Sequence, residues 1–185
     1  MKYLLFIVLL VAILITAGCV SENKGTIVTP VQTTPAPTPT HELSTLDPSE
    51  MALQLSDLPE GYVKVHSGPY SEVPNATKKF IVEFQKGTTS NTVINQVILV
   101  FPIDQINKTI PYFRSALKIS TTKELSNPNI GDSSFAIKAV NDLREDIYII
   151  YFVKKDVFEV IEMEGSVTDY ETLKQLATTA AAKIK

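Results

Sequence analysis

The segment 146–164, with the sequence DIYIIYFVKKDVFEVIEME, decides the fold class of this chain. Its first part, Asp146–Lys154, is a run of β-branched and aromatic residues, which favour strands. Lys155 and Asp156 then form a tight turn, although neither is the glycine that such turns prefer. Because Val157–Glu164 continues as a second strand, the segment predicts a β-hairpin.

Four further segments have the apolar pattern of strands: 62–66, 79–86, 92–101 and 132–139. Segment 92–101 is apolar at both odd and even positions. This pattern is typical of a central strand whose sheet is covered, at least in part, on both faces. Pro102 ends that strand.

A short first helix is predicted before these strands. Asp47 fits an N-cap, Pro48 the first turn and Glu50 the third helical position. The helix is expected to run to about residue 55, before proline and glycine turn the chain.

Two longer helices are predicted later in the chain. Apolar residues spaced by three and four between Ile103 and Leu117 indicate one helical stripe, and Pro111 within it should kink the helix or delay its start. Thr168 and Glu171 fit a capping box at the start of a terminal helix. The alanines of that helix would let it lie close to a sheet.

The order of elements is helix, three strands, helix, three strands, helix. This order predicts an α+β fold, an antiparallel sheet of about six strands with helices packed on it. Residues 45–185 have the size of a single domain.

The chain begins with an export signal. Thirteen apolar or aromatic residues follow Lys2, and small residues then precede Cys19, the only cysteine. This pattern predicts a lipoprotein-type signal peptide over 1–18 and lipidation of Cys19. Thr16 stands where such signals usually carry leucine. An uncleaved anchor helix, which needs roughly 20 apolar residues, and free secretion after cleavage are the alternatives.

A Thr/Pro-rich linker is predicted over residues 19–44. It has few large apolar residues and so cannot offset its ordering entropy by burial. Its prolines favour the extended polyproline II conformation, which would hold the domain away from the membrane.

These features predict a cell-membrane protein, anchored through lipidated Cys19 or the N-terminal helix, with its domain on the extracytoplasmic face. An envelope or membrane protein is the expected partner. The net charge of −3 and the pI near 5.4 argue against nucleic acid as a partner. Asn75 and Asn107 each begin a possible N-glycosylation motif, and Asn75 lies in the better, loop context.

The sequence predicts no catalytic residue, no metal site and no cofactor. His66 has no second ligand at metal-binding spacing, and Ser133-Ser134 lacks the pattern of a nucleophile turn. Nucleotide-binding glycine motifs are missing from the sequence.

Acidic and aromatic groups are the remaining candidates for a site. Asp142, Glu145 and Asp146 cluster in one loop, and Glu162 and Glu164 share one strand face. Solvated charge is the simpler interpretation of both sets. Four aromatic residues of the hairpin could line a ligand groove but fit the core better: Tyr148, Tyr151, Phe152 and Phe158.

The domain resembles a known group of folds. Segment 131–136 (GDSSFA), the hairpin 152–160 and the helix 173–184 are similar to the C-terminal half of PsbP-like, Mog1-like and LpqN-type domains. Segment 55–62 (LSDLPEGY) is similar to the opening of exported lipoprotein domains with that layout. The resemblance implies a binding or accessory role and brings no functional residues to map. The hairpin turn lacks the glycine that relatives often have.

We therefore expect a membrane-anchored extracytoplasmic lipoprotein that acts as a binding or accessory module and is not an enzyme. The alternatives are an envelope-acting hydrolase that uses the acidic loop, and a structural component of the cell surface.

Overall fold

The computed structural model describes residues 43–71, 73–87, 91–117 and 122–185. The predicted signal peptide, Cys19 and all but the last two residues of the predicted linker lie outside the described residues.

The elements follow one another as α1 (Pro48–Met51), a 3₁₀ turn (Leu55–Asp57), β1 (Tyr62–Pro69), β2 (Lys78–Lys86), β3 (Val93–Val100), α2 (Ile103–Ala116), β4 (Lys123–Glu124), β5 (Ser133–Val140), β6 (Asp146–Lys154), β7 (Val157–Glu164) and α3 (Tyr170–Lys183).

The described strands form one antiparallel sheet in the order β1-β2-β3-β7-β6-β5-β4. The α+β class, the antiparallel sheet and the β6–β7 hairpin are confirmed. The sheet has seven strands and not about six, because β4 pairs with β5 at the far edge. Two charged residues, Lys123 and Glu124, make up β4, and they are too few to show an alternating pattern. The central position of β3 is confirmed, since it pairs with both β2 and β7.

Helices α1 and α3 cover one side of the sheet, called here the closed face. Small side chains of α3, Ala177 and Ala180, are fully buried against it, as expected for a helix that lies close to a sheet. Lys183 in the last turn of α3 pairs with Asp57 at 2.7 Å and donates to the Ala52 carbonyl at 3.4 Å. The largest fully buried side chains of this face are Met51, Leu53, Phe84, Ile94, Ile98, Ile150, Phe152 and Ile161.

Helix α2 covers only part of the opposite side. Its Phe113 ring stacks on Phe158 at 4.8 Å and on Tyr151 at 5.9 Å between ring centroids. Both rings lie in the half of the sheet next to the β6–β7 turn, and α2 makes its main strand contacts with β5, β6 and β7.

The ends of the helices correct three details of the prediction. Asp47 caps α1 as predicted, and Glu50 at the third helical position completes a capping box. Helix α1 nevertheless stops at Met51, and the chain continues into the separate 3₁₀ turn. Helix α2 starts at Ile103 and runs through Pro111, so the delayed start was wrong. The N-cap of α3 is Asp169 and not Thr168. The Asp169 carboxylate accepts from Thr172 N at 2.9 Å, which Thr168 does not do.

The chain enters the domain at the end of the sheet that carries the β6–β7 turn. The Ser44 amide donates to the buried Asp156 of that turn at 2.7 Å, and the Thr45 amide donates to the Lys185 carbonyl. Among the described residues, Ser44 is thus the first that forms a hydrogen bond with the rest of the domain.

Candidate functional site

The half of the α2 side that α2 leaves bare is the candidate site. Two cross-strand rows of side chains lie there, set by the strand register: His66, Glu83, Asn95, Glu162 and Ile149, and beside them Val63, Gln85, Val93, Glu164 and Ile147. We call the central part of these rows, formed by Glu83, Val93, Asn95, Ile147, Ile149, Glu162 and Glu164, the open surface.

Burial along β3 shows the difference between the two sides of the sheet. Ile94, Gln96 and Ile98 point to the closed face and are fully buried. Val93 and Asn95, which alternate with them, are only half-buried. Since side chains of a strand alternate between faces, the open surface is a part of the sheet that no described helix seals.

Three carboxylates occupy the open surface. Neighbouring strands lie about 4.8 Å apart and alternate residues about 7 Å apart along a strand, so the backbone positions of Glu83, Glu162 and Glu164 fall within about 12 Å of one another. The part of the chain that the structure describes gives none of the three a hydrogen bond or an ion pair. Glu162 and Glu164 thus lie on one strand face, as predicted, and no described residue forms an ion pair with either.

The surroundings of these groups make them harder to ionise. Burial, and then the charge of Glu164, raises the pKa of Glu162 to about 7. Burial also raises the pKa of Glu164, together with the charges of Glu145 and Glu83. Ionisable groups with strongly shifted pKa values are often found at functional sites, where burial and neighbouring charges tune them for their role.

Aliphatic side chains complete the open surface. Ile149 and Ile147 are the β6 partners of Glu162 and Glu164, and Val93 faces Glu164 from β3. All three are half-buried. The surface therefore joins acidic and apolar groups in adjacent strands, a combination that binds amphipathic ligands.

Loops tied together by Glu145 adjoin the open surface. The Glu145 carboxylate accepts from Asn91 Nδ2 at 2.6 Å and from Asn141 Nδ2 at 3.0 Å. These hydrogen bonds lower the pKa of Glu145. Leu143 and Val167, in the loops of this end, are 65% and 58% exposed. The loops form the end of the sheet opposite to the point where the chain enters the domain.

The acidic loop predicted from sequence serves mainly to hold this end of the sheet. Both oxygens of Glu145 are occupied by amides, and Asp146 pairs with Lys138 at 2.7 Å. Asp142 is exposed. The described residues thus give Asp142, Glu145 and Asp146 no common point of convergence.

A fourth carboxylate, Glu159, lies on the closed face and was missed by sequence reasoning. It is fully buried, and its Oε2 accepts from Gln96 Nε2 at 2.7 Å. Gln96 Oε1 in turn accepts from the Leu53 amide at 2.7 Å. Burial raises the pKa of Glu159 to about 8 despite these bonds. The signal was present, since Glu159 alternates with Val157 and Ile161 on an apolar strand face.

The predicted aromatic residues lie on two different faces. Phe152 on the closed face and Phe158 and Tyr151 under α2 are buried, which confirms the interpretation as core. Tyr148 is half-buried and packs on Tyr170 of α3 at 5.8 Å between ring centroids. None of the four lines the open surface.

The other singled-out side chains have structural surroundings. His66 is exposed in β1. Ser134 Oγ donates to Asn127 Oδ1 and accepts from the Ile130 amide. Asn75 is exposed in a turn with a φ of 67°. Asn107 is exposed on α2, but the hydroxyl of its motif residue Thr109 is buried and donates to the Ile106 carbonyl.

Three negative results delimit the site. Within residues 43–71, 73–87, 91–117 and 122–185, no three acidic, histidine or cysteine side chains come together as a metal site would require. Over the same residues there is no helix whose length and apolarity would let it cross a membrane. No protein-family model matches the chain, and no curated protein is significantly similar to it in sequence.

Proposed function

We propose that this protein is a lipid-anchored, extracytoplasmic binding module whose open surface takes up its ligand. The single observation that carries the proposal is a group of three carboxylates that have no hydrogen bond or ion pair to any described residue. They lie beside half-buried aliphatic side chains on a sheet whose opposite face is covered by α1 and α3. Buried or half-buried charges normally have partners within the fold. A surface that lacks them has its complement in another molecule.

The point of entry into the domain is compatible with a tethered module. The chain enters at the Ser44–Asp156 contact, and the open surface lies toward the other end of the sheet. A strand of this sheet spans about 26 Å at about 3.3 Å per residue. The segment that enters at Ser44 therefore contacts the domain away from the open surface.

The resemblance to PsbP-like, Mog1-like and LpqN-type domains is part of the proposal. It agrees with the antiparallel sheet and with a terminal helix packed on one face. The group mostly contains accessory or binding proteins, which is the role proposed here.

Two measurements test the proposal. Mass spectrometry of the mature N-terminus should find an acylated cysteine at position 19, and an unmodified Met1 would contradict the anchor. Chemical crosslinking in native membranes, followed by affinity capture of the full chain, should recover a partner that the variant Asn95→Arg loses. That substitution places a cation between Glu83 and Glu162.

A matched control variant distinguishes binding through the open surface from a general effect of added positive charge. Gln175→Arg adds the same charge on the exposed side of α3 and should leave capture unchanged. Equal capture by both variants would contradict binding through the open surface.

An envelope hydrolase is the second candidate, now placed on different residues. The pKa of Glu162, near 7, suits a general acid, whereas Glu145 is fully occupied by hydrogen bonds. An activity on envelope material that Glu162→Gln abolishes and Glu145→Gln leaves would favour this function over simple binding.

A further inference from the structure

We infer that the partner of the open surface is a basic amphipathic protein segment, one that places lysine or arginine side chains over Glu162 and Glu164 and apolar side chains over Ile147 and Ile149. This inference deepens the proposed function and rests on it.

Charge complementarity selects a cationic occupant. The open surface holds Glu83, Glu162 and Glu164, and Glu145 adds its charge from the adjoining loop. No described cation forms an ion pair with these carboxylates, and four cations of the domain pair with other acidic residues. Lys138 pairs with Asp146, Lys183 with Asp57, Arg114 with Glu124 and Lys78 with Asp47. His66, at the β1 end of the row, lies opposite Glu83.

The aliphatic side chains of the open surface favour a lysine or arginine side chain over a bare metal ion as the bound cation. A metal would need several ligands to converge on one point, and the described residues contain no such group. Lysine and arginine instead have long apolar stems that can lie on Ile147 and Ile149 while their charged ends reach the carboxylates. An arginine can also bond a carboxylate at two points.

The strand geometry sets the spacing of the segment. Glu162 and Glu164 are two residues apart on β7, and Ile149 and Ile147 are their partners on β6. An extended segment that crosses the strands would therefore meet an acidic position and then an apolar one within about 5 Å. Because successive side chains of an extended segment point to opposite sides, the residues that face the open surface are every second one. A segment in which those every-second residues are basic and apolar in turn matches both groups.

Binding of a synthetic probe to the full chain in detergent micelles tests the inference. The probe is an acetylated peptide of Lys-Ser-Leu-Ser repeats, in which lysine and leucine take turns on one side of the extended chain. Its counterparts carry glutamate in place of lysine or serine in place of leucine. We expect the lysine–leucine peptide to bind and each counterpart to bind at least about tenfold more weakly. Raising the salt concentration should weaken binding because the charges are partly exposed.

The double variant Glu162→Gln/Glu164→Gln should lose at least about tenfold in affinity for the same probe. Glu60→Gln/Glu171→Gln removes the same charge from exposed positions outside the open surface and should bind like the natural chain. An equal loss of affinity in both double variants would overturn the inference, and so would tighter binding of the glutamate peptide. Binding of Ca²⁺ at the open surface without any binding of the lysine–leucine peptide would overturn it as well.

The inference can fail separately from the proposed function. Capture in membranes that Asn95→Arg abolishes, combined with no preference for the lysine–leucine peptide, would leave the binding module intact and contradict the basic partner. Self-association of the chain that Glu162→Gln/Glu164→Gln abolishes would also contradict it, since the occupant would then be a second copy.

Discussion

Glutamate side chains have different surroundings on the two faces of the sheet. On the closed face, Glu159 is fully buried, and Gln96 Nε2 donates to its Oε2, while its Oε1 has no partner among the described residues. Gln96 Oε1 also accepts from the Leu53 amide, so the Glu159 carboxyl group is tied to the core. On the open surface, Glu162, only three residues later on the same strand, is half-buried and has no hydrogen bond or ion pair to a described residue. This contrast is the basis on which we propose a structural role for Glu159 and a binding role for the open surface.

Truncation of the core should show the largest difference between the faces. Phe152→Ala on the closed face removes a fully buried ring and should lower the free energy of unfolding by about 3–5 kcal/mol. Ile149→Ala on the half-buried open surface should cost less than about 2 kcal/mol. Urea denaturation of the two variants measures both values, and an equal loss would mean that the open surface is part of the core.

Removal of Gln96 should be the next largest effect. Gln96→Leu leaves the Leu53 amide and Glu159 without their partners, at about 1–3 kcal/mol for each buried group. Asn95→Leu, the neighbouring residue on the open surface, is the control and should change stability by less than about 0.5 kcal/mol. Thermal unfolding of both variants provides the comparison. If Asn95→Leu proved the more harmful, Asn95 would have a structural partner and the contrast between the faces would fail.

Stability should fall as the pH rises, because of Glu159. Its pKa is about 8 in the fold against an ordinary value of 4.5, so the folded protein holds a proton that the unfolded chain releases. This contribution is fully present below pH 4.5 and is lost as the pH rises toward 8, with a slope that approaches about 1.4 kcal/mol per pH unit for one proton.

Glu159→Gln should remove that part of the slope. Glu162, with a pKa near 7, contributes in the same direction, so Glu162→Gln should remove a second part that ends about one pH unit lower. Unfolding free energies measured from pH 5 to pH 9 separate the two. Stability that is independent of pH in the natural chain would contradict the burial assigned to both groups.

The smallest effect concerns the helix that seals the closed face. Asp169→Ala removes the N-cap of α3 and should cost about 1 kcal/mol. Thr168→Ala should cost almost nothing, because the capping bond comes from its neighbour. Reversed values in a denaturant titration would restore the capping box predicted from the sequence.

Patterns that repeat along the chain allowed most of the fold to be predicted. The β6–β7 hairpin, the central β3 and the three helices follow from local periodicity and capping residues. Strand β4 could not be found, because two residues carry no period and pair only through the edge of β5. Asp169 took the cap from Thr168 because two adjacent residues both had a suitable side chain.

The candidate site was predictable only in part. The shared face of Glu162 and Glu164 follows from the two-residue period of a strand. Whether these two glutamates have partners depends on how much of the sheet α2 covers and on which strands lie beside β7. In the sequence, the acidic loop 142–146 looks as good a candidate site as Glu162 and Glu164. In the fold, Asn91, 54 residues away in the sequence, donates a hydrogen bond to Glu145. Long-range pairing of this kind leaves no local pattern.

Photocrosslinking from the open surface tests the central claim most directly. A photoreactive benzoylphenylalanine at Ile149, in the full chain and in native membranes, should label a specific partner on irradiation, while the same group at Gln175 on the exposed side of α3 should not. Labelling from both positions alike, or from Gln175 alone, would contradict the account.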